Sequence, residues 1–192
     1  MGDNSFLIKI AIAVVVGFLF VRLISWYIRT FNKLNKYKVV IQESKENVDI
    51  ALAKRYDTIS EMLKVAKSYA RHERETFADL IKLRGGATIK EMDEAIKSQD
   101  MVIDRIFALA EAYPDLKSSE QFLNLQNEIN DENEQLAAAK RIVNNNISIL
   151  NQAIVSFPTS VVAKVNGIGQ TEFLKGDNLA GKKSLADLDY EI

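Results

Sequence analysis

His72 and Glu73 are the two residues of this sequence that most resemble part of a catalytic motif. In the metalloprotease motif H-E-x-x-H, two histidines one turn apart bind zinc and the glutamate acts as a base. Position 76 is Thr, so the second ligand is missing, and position 69 is Tyr, so the E-x-x-H pair of a di-iron bundle is also missing. We therefore predict no catalytic residue, no metal and no cofactor. His72 and Glu73 are interpreted as packing or turn residues, with a pH-responsive or partner-binding histidine as the alternative.

Arg55 and Asp57 place charges in the middle of a long helical pattern. Arg55 falls on the apolar stripe of that pattern, where a charge without a partner is costly. We predict an inter-helix salt bridge that sets the helix register, with Glu132 as its possible partner. The alternative is a polar groove, formed by Arg55 and Asp57 with Tyr69 and His72, that binds a small ligand or ion. The acidic stretch 128–134 is interpreted as a solvated face because its carboxylates are expected to spread around the helix.

Composition limits the possible functions further. The 192 residues include 25 Lys+Arg and 26 Asp+Glu, giving a net charge of -1, so a nucleic-acid-binding surface is not expected. There is no cysteine and only one histidine, which excludes disulfides and thiolate chemistry and makes a histidine-rich metal centre impossible. With only two prolines and eight glycines, the helices should be long and the turns few.

The N-terminal region has the pattern of a transmembrane helix. Of the 22 residues 7–28, 18 are apolar, and a helix of that length spans roughly 33 Å, about one hydrocarbon core. Trp26 and Tyr27 fit the aromatic belt at one membrane interface. We predict a retained single-pass anchor rather than the alternative, a cleaved signal peptide.

Charge asymmetry predicts the orientation of this anchor. A basic cluster follows the span without any acidic residue before Glu43, and it consists of Arg29, Lys33, Lys36 and Lys38. By the positive-inside rule, residues 1–6 should lie outside the cell and the remaining chain in the cytoplasm, with the basic cluster against anionic headgroups of the cell membrane.

The remaining sequence predicts an all-α fold. Apolar residues recur at steps of three and four, as in a coiled coil, and neither Pro nor Gly interrupts residues 29–84. Gly85 and Gly86 should end the first helix, and a capping box from Thr88 to Glu91 should begin the second. Pro114 and Pro158 should end the second and third helices. Because short turns reverse neighbouring helices, we predict an antiparallel, up-down-up bundle over residues 29–165 and a mobile tail over 166–192.

Several motifs resemble those of the bacterial LemA family. Residues 49–57 (DIALAKRYD) are similar to its D-x-x-L-x-R-R-Y-D run, 69–73 (YARHE) to its Y-A-x-H-E element, and 111–117 (EAYPDLK) to its E-A-Y-P-D-L-K turn. Asn144, Asn151 and the pair at 157–158 resemble its closing helix. The resemblance implies a membrane-anchored helical bundle without an agreed activity. The departures are at positions 54, 60 and 143, where Lys, Ser and Val replace Arg, Pro and Tyr.

Two functions are consistent with these features. The first is a non-enzymatic scaffold of the bacterial cell envelope that contacts the lipid bilayer and binds protein partners or itself. Its candidate contact residues, beyond those in the groove, lie in the turn and the closing helix: Glu111, Tyr113, Pro114, Asp115 and Asn144. The second is a membrane-tethered sensor or regulator that binds a small ligand or ion in the polar groove.

Overall fold

The computed structural model describes residues 2–69 and 88–175, and these form helices without any strand. The all-α prediction is therefore confirmed for this part of the chain. The helices in chain order are α1 (Gly2–Tyr69), α2 (Ile89–Ala112), α3 (Pro114–Lys117), α4 (Glu120–Val155) and α5 (Thr159–Val165). The predicted end of the first helix at Gly85 and Gly86 lies outside the described residues.

Helix α1 changes character along its length. From Leu7 to Trp26 its side chains are exposed, although most of them are apolar. Beyond this stretch, only one stripe is buried, beginning at Thr30 and Leu34. Within the described residues, α1 is the single helix long and apolar enough to cross a membrane, by its length and composition. This exposed apolar surface is what a membrane-spanning segment presents to lipid.

Local sequence chemistry sets the ends of α2. The Glu91 N–H donates to the Thr88 hydroxyl at 3.2 Å, and the Thr88 N–H donates to the Glu91 carboxylate at 2.9 Å, which confirms the capping box. The helix ends at Ala112, before Pro114, as predicted. Pro114 then begins the short helix α3. Helix α4 follows after Ser119, whose hydroxyl accepts a hydrogen bond from the Phe122 N–H at 3.3 Å.

The chain divides into two compact units, of which the second comprises Gln42–Asn145 and Glu172–Ile192. Its core is a cluster of buried apolar residues from α1, α2, α3 and the first part of α4. Phe122 is 1 % exposed and packs edge-to-face against Phe107, with ring centroids 6.4 Å apart. Leu116, the buried residue of α3, is 0 % exposed and closes the cluster where α2 connects to α4.

The direction of α2 in this unit differs from the up-down-up prediction. Leu52 and Arg55 of α1 contact Gln99 and Asp100 of α2 in the same order, and the residues that follow on each helix, 59–66 and 102–110, belong to one apolar cluster. Helices α1 and α2 therefore run in the same direction, whereas α2 and α4, joined through α3, run antiparallel as predicted. The connection between α1 and α2, residues 70–87, lies outside the described residues.

The first unit comprises Met1–Ile41 and Asn146–Thr171. Its buried side chains come from α1, α4, α5 and the segment that follows, and they include Leu34, Ile147, Val162 and Ile168. Only seven residues long, α5 is held at its end by Asn166, whose side-chain amide donates to the Tyr27 hydroxyl at 2.9 Å.

The chain remains packed beyond residue 165, where the bundle was predicted to end. In the first unit, the Asn151 side chain donates to the Thr171 carbonyl and accepts from its N–H, both at 2.9 Å. In the second unit, Asn144 makes the same pair of bonds to Leu174, which is 2 % exposed. Thr171 and Leu174, which fall in the predicted mobile tail, are therefore held by side-chain amides of α4 that bind their backbone. Residues 176–192 lie outside the described part.

We expect Asn144→Ala to release the Leu174 backbone. The substitution removes both hydrogen bonds, so amide exchange at Leu174 should accelerate by about tenfold, the equivalent of ~1.4 kcal/mol. Hydrogen exchange with mass-spectrometric or NMR detection measures this. Asn145→Ala is the matched control, because Asn145 is exposed on the same helix and should leave the exchange rate unchanged. Equal rates in the two variants would contradict the proposed role of Asn144.

Candidate functional site

Arg55 lies in the interior of the second unit. It is 4 % exposed, and its Nη2 donates to the Asp100 carboxylate of α2 in an ion pair. The predicted inter-helix salt bridge is therefore present, but its partner is Asp100 rather than Glu132. A guanidinium buried on an apolar stripe requires such a carboxylate, because an unpaired charge there costs several kcal/mol.

Two further polar contacts lie close to Arg55 along α1. The Gln99 side chain donates to the Leu52 carbonyl at 3.0 Å, and the Thr58 hydroxyl donates to Glu132 Oε1 at 3.0 Å. All these residues except Asp100 are buried, so this polar layer connects α1 to α2 and to α4 inside an otherwise apolar core. Such a layer restricts the register of the helices, since a shift would leave its charges unpaired.

The carboxyl of Glu132 has an unusual environment for an acidic residue. It is 7 % exposed, and burial raises its pKa above the ordinary value of 4.5, with nearby Glu128 acting in the same direction. The hydrogen bond from Thr58 and the positive charges of Arg55 and Lys54 oppose this rise. Glu132 Oε2 is buried without a hydrogen-bond partner among the described residues.

Glu132 also lines a surface cleft of about 420 Å³ between α1 and α4. Each helix contributes residues spaced i, i+3, i+4 and i+7, which lie on one helix face. They are Lys54, Asp57, Thr58 and Glu61 on α1, and Glu128, Asp131, Glu132 and Gln135 on α4. The expectation that the acidic stretch spreads around the helix is wrong for these positions. Five carboxylates against one lysine make the cleft attractive to a positively charged group.

Within residues 2–69 and 88–175, no three His, Cys, Asp or Glu side chains come together in a way that could hold a metal ion. The carboxylates instead line an open cleft along two helices.

The residues of the predicted polar groove have different surroundings. Arg55 faces α2 in the interior, whereas Asp57 is exposed and lines the cleft toward α4. Tyr69 is 42 % exposed at the end of α1. His72 and Glu73 lie outside the described residues, so the interpretations that involve them stay predictions.

The turn between α2 and α4 presents its predicted contact residues to solvent. Glu111, Pro114 and Asp115 are exposed, whereas Tyr113 is half-buried and packs against the apolar cluster. The ring of Tyr113 thus has a structural role. Its exposed neighbours are free of the core and stay candidates for a partner contact.

The basic cluster is fully on the surface of the first unit. Arg29, Lys33, Lys36 and Lys38 are all exposed, and the Lys33 ammonium lies 5.8 Å from the centre of the Tyr37 ring. These side chains follow the apolar part of α1 directly, which is the position from which they could reach lipid headgroups.

Asp93 is a buried acidic residue that the sequence analysis did not identify. Burial raises its pKa, while the Lys175 N–H, which donates to the carboxylate at 3.0 Å, and the charge of Lys140 oppose the rise. Asp100 and Thr58 were also missed. The i, i+3, i+4, i+7 spacing could have revealed the cleft, but nothing in the sequence indicates which backbone amide binds Asp93.

The buried Glu132 predicts a pH-dependent stability. Because its pKa is raised in the folded state, the protein loses stability as the pH rises from about 4.5, the ordinary value, through the raised folded-state pKa. Glu132→Gln should reduce this decrease in the free energy of unfolding with pH. The part of the decrease that Asp93 causes should remain. Thermal unfolding between pH 4.5 and 8, followed by circular dichroism, measures the effect. The exposed Glu134 on the same helix provides the control Glu134→Gln, which should keep the native slope.

Comparison with protein families agrees with the motifs in the sequence. The LemA family model matches residues 44–185, which include all of α2, α3, α4 and α5 and the part of α1 that carries Arg55. A comparison with curated proteins gives no match. The matched region covers well over half of the chain, so the protein belongs to the LemA family.

Proposed function

We propose that this chain is a membrane-anchored, non-enzymatic interaction protein of the bacterial cell envelope, with its bundle in the cytoplasm. The observation that carries the proposal is the contrast along α1. Its first part exposes apolar side chains to the surroundings, and a basic cluster follows at once. Water does not favour such a surface over some 20 residues, whereas a bilayer does.

The distribution of charge supports the same orientation. The first unit contains seven basic residues and a single acidic one, Asp3, whereas the rest of the chain holds the other 25 acidic residues. Positive charge close to the end of the span favours the cytoplasmic face, where anionic lipids attract it. The acidic second unit would be repelled by the same surface and is suited to face the cytosol and its proteins.

An interaction role also fits the kind of surface that the second unit presents. Its polar layer is directed inward and binds the helices to one another, so it stabilises structure rather than exposing reactive groups. The exposed residues around the turn at Pro114 and the acidic cleft remain available to a protein partner. Contacts of this kind need no cofactor.

Cysteine labelling tests the orientation, because the native chain contains no cysteine. We expect Ser5→Cys to react with a membrane-impermeant maleimide on intact cells. Met101→Cys, at an α2 position that is 54 % exposed, should react only after lysis. The reverse pattern would overturn the orientation. Labelling of both positions in a carbonate-extracted soluble fraction would overturn the anchor itself.

Crosslinking tests the interaction role separately. A photoreactive residue replacing the exposed Asp115 should give discrete adducts in native membranes, either with a second copy or with a neighbouring protein. The same residue replacing the buried Leu116 is the matched control and should give none. A chain that purifies as a monomer and forms no adduct from Asp115 or from the cleft position Asp131 would contradict the proposal.

A further inference from the structure

An apolar surface of the first unit is not accounted for by the packing described above. Val155, Phe157, Val161 and Val165 are 63, 84, 52 and 70 % exposed, and we call these four residues the apolar corner. Phe157 is the most exposed large apolar side chain among the residues that the structure describes. Four exposed apolar side chains within eleven residues of the chain mark a candidate contact with a protein or a membrane.

The apolar corner owes its exposure to the orientation of α5. Val161 and Val165 are four residues apart and therefore lie on the same helix face. Val162 and Ala163, on another face, are each 1 % exposed. The packing of Val162 and Ala163 fixes the helix, so the other two valines cannot turn inward without breaking that packing.

A hydrogen bond places this corner next to the predicted membrane interface. Asn166, which follows α5 directly, donates to the hydroxyl of Tyr27, the penultimate residue of the span 7–28. A seven-residue helix is roughly 10 Å long, so all of α5 lies close to the end of the span. Interfacial segments bury their apolar faces about 5–10 Å into the headgroup and acyl boundary, which is a similar depth.

Charge favours lipid as the surface that covers the corner. The sequence contains no acidic residue from 135 to 171, a range that includes α5 with its Lys164. The basic cluster lies on α1 in the same unit. Apolar side chains with basic and without acidic neighbours are typical of segments that bind anionic membranes.

We propose that the apolar corner inserts into the headgroup boundary of the membrane that α1 spans. The first unit thereby contacts the bilayer at two places, through the span and through α5. Phe157 is the principal inserting side chain, with the three valines beside it. This second contact rests on the proposed membrane anchor, so its test must report on the anchor independently.

Tryptophan quenching by brominated lipids provides both readouts. The full-length chain is placed in nanodiscs of phosphatidylglycerol and phosphatidylcholine, with or without bromine on the acyl chains. Trp26 is the only tryptophan, so its quenching in the native chain reports on the anchor. In the double variant Trp26→Phe/Phe157→Trp, we expect blue-shifted emission that loses intensity when the lipids are brominated.

The matched control is Trp26→Phe/Val39→Trp. Val39 is 65 % exposed on α1, eleven residues and roughly 16 Å beyond Ile28, so its indole should not be quenched. Quenching of Trp26 without quenching at position 157 would overturn the second contact and leave the anchor intact. A blue shift at 157 without quenching would identify a protein contact instead. Equal quenching at 157 and 39 would also overturn the proposal, and an unquenched Trp26 would refute the anchor.

Discussion

Arg55 introduces a permanent positive charge into the interior of the second unit, and much of the bundle depends on how that charge is compensated. Its ion pair with Asp100 fixes α1 against α2, while Thr58, one turn further along α1, fixes it against Glu132 of α4. An apolar stripe alone tolerates sliding by a heptad, because similar side chains replace one another. A buried charge does not tolerate such a shift, because it would lose its partner. The polar layer therefore selects one register among several of comparable packing.

The two units also differ in electrostatic character. The basic residues of the first unit accompany its apolar surfaces, whereas the second unit concentrates its carboxylates in the cleft between α1 and α4. This difference explains how a chain with a net charge of -1 can have strong local fields of opposite sign.

Sequence reasoning predicted the features that depend on neighbouring residues. Thr88 and Glu91 determine the start of α2 locally, and Pro114 determines its end. The periodicity predicted the burial of Arg55. It could not predict Asp100 as the partner, because that requires the relative direction of α1 and α2. That direction is seen only in contacts between residues far apart in the sequence. The docking of 171–175 was missed because Asn144 and Asn151 bind backbone atoms, which leave no pattern in the side chains of their partner segment.

The parallel arrangement of α1 and α2 affects the order in which the bundle can assemble. Phe107 and Phe122 are close in sequence, so the α2–α4 hairpin closes a short loop, whereas Arg55 and Asp100 are 45 residues apart. Synthesis nevertheless delivers α1 first. Its apolar stripe remains without partners until α2 and α4 have left the ribosome, and this interval is when a nascent chain is most susceptible to aggregation and chaperone capture. Early insertion of the N-terminal span would hold that stripe at the membrane surface until its partners arrive.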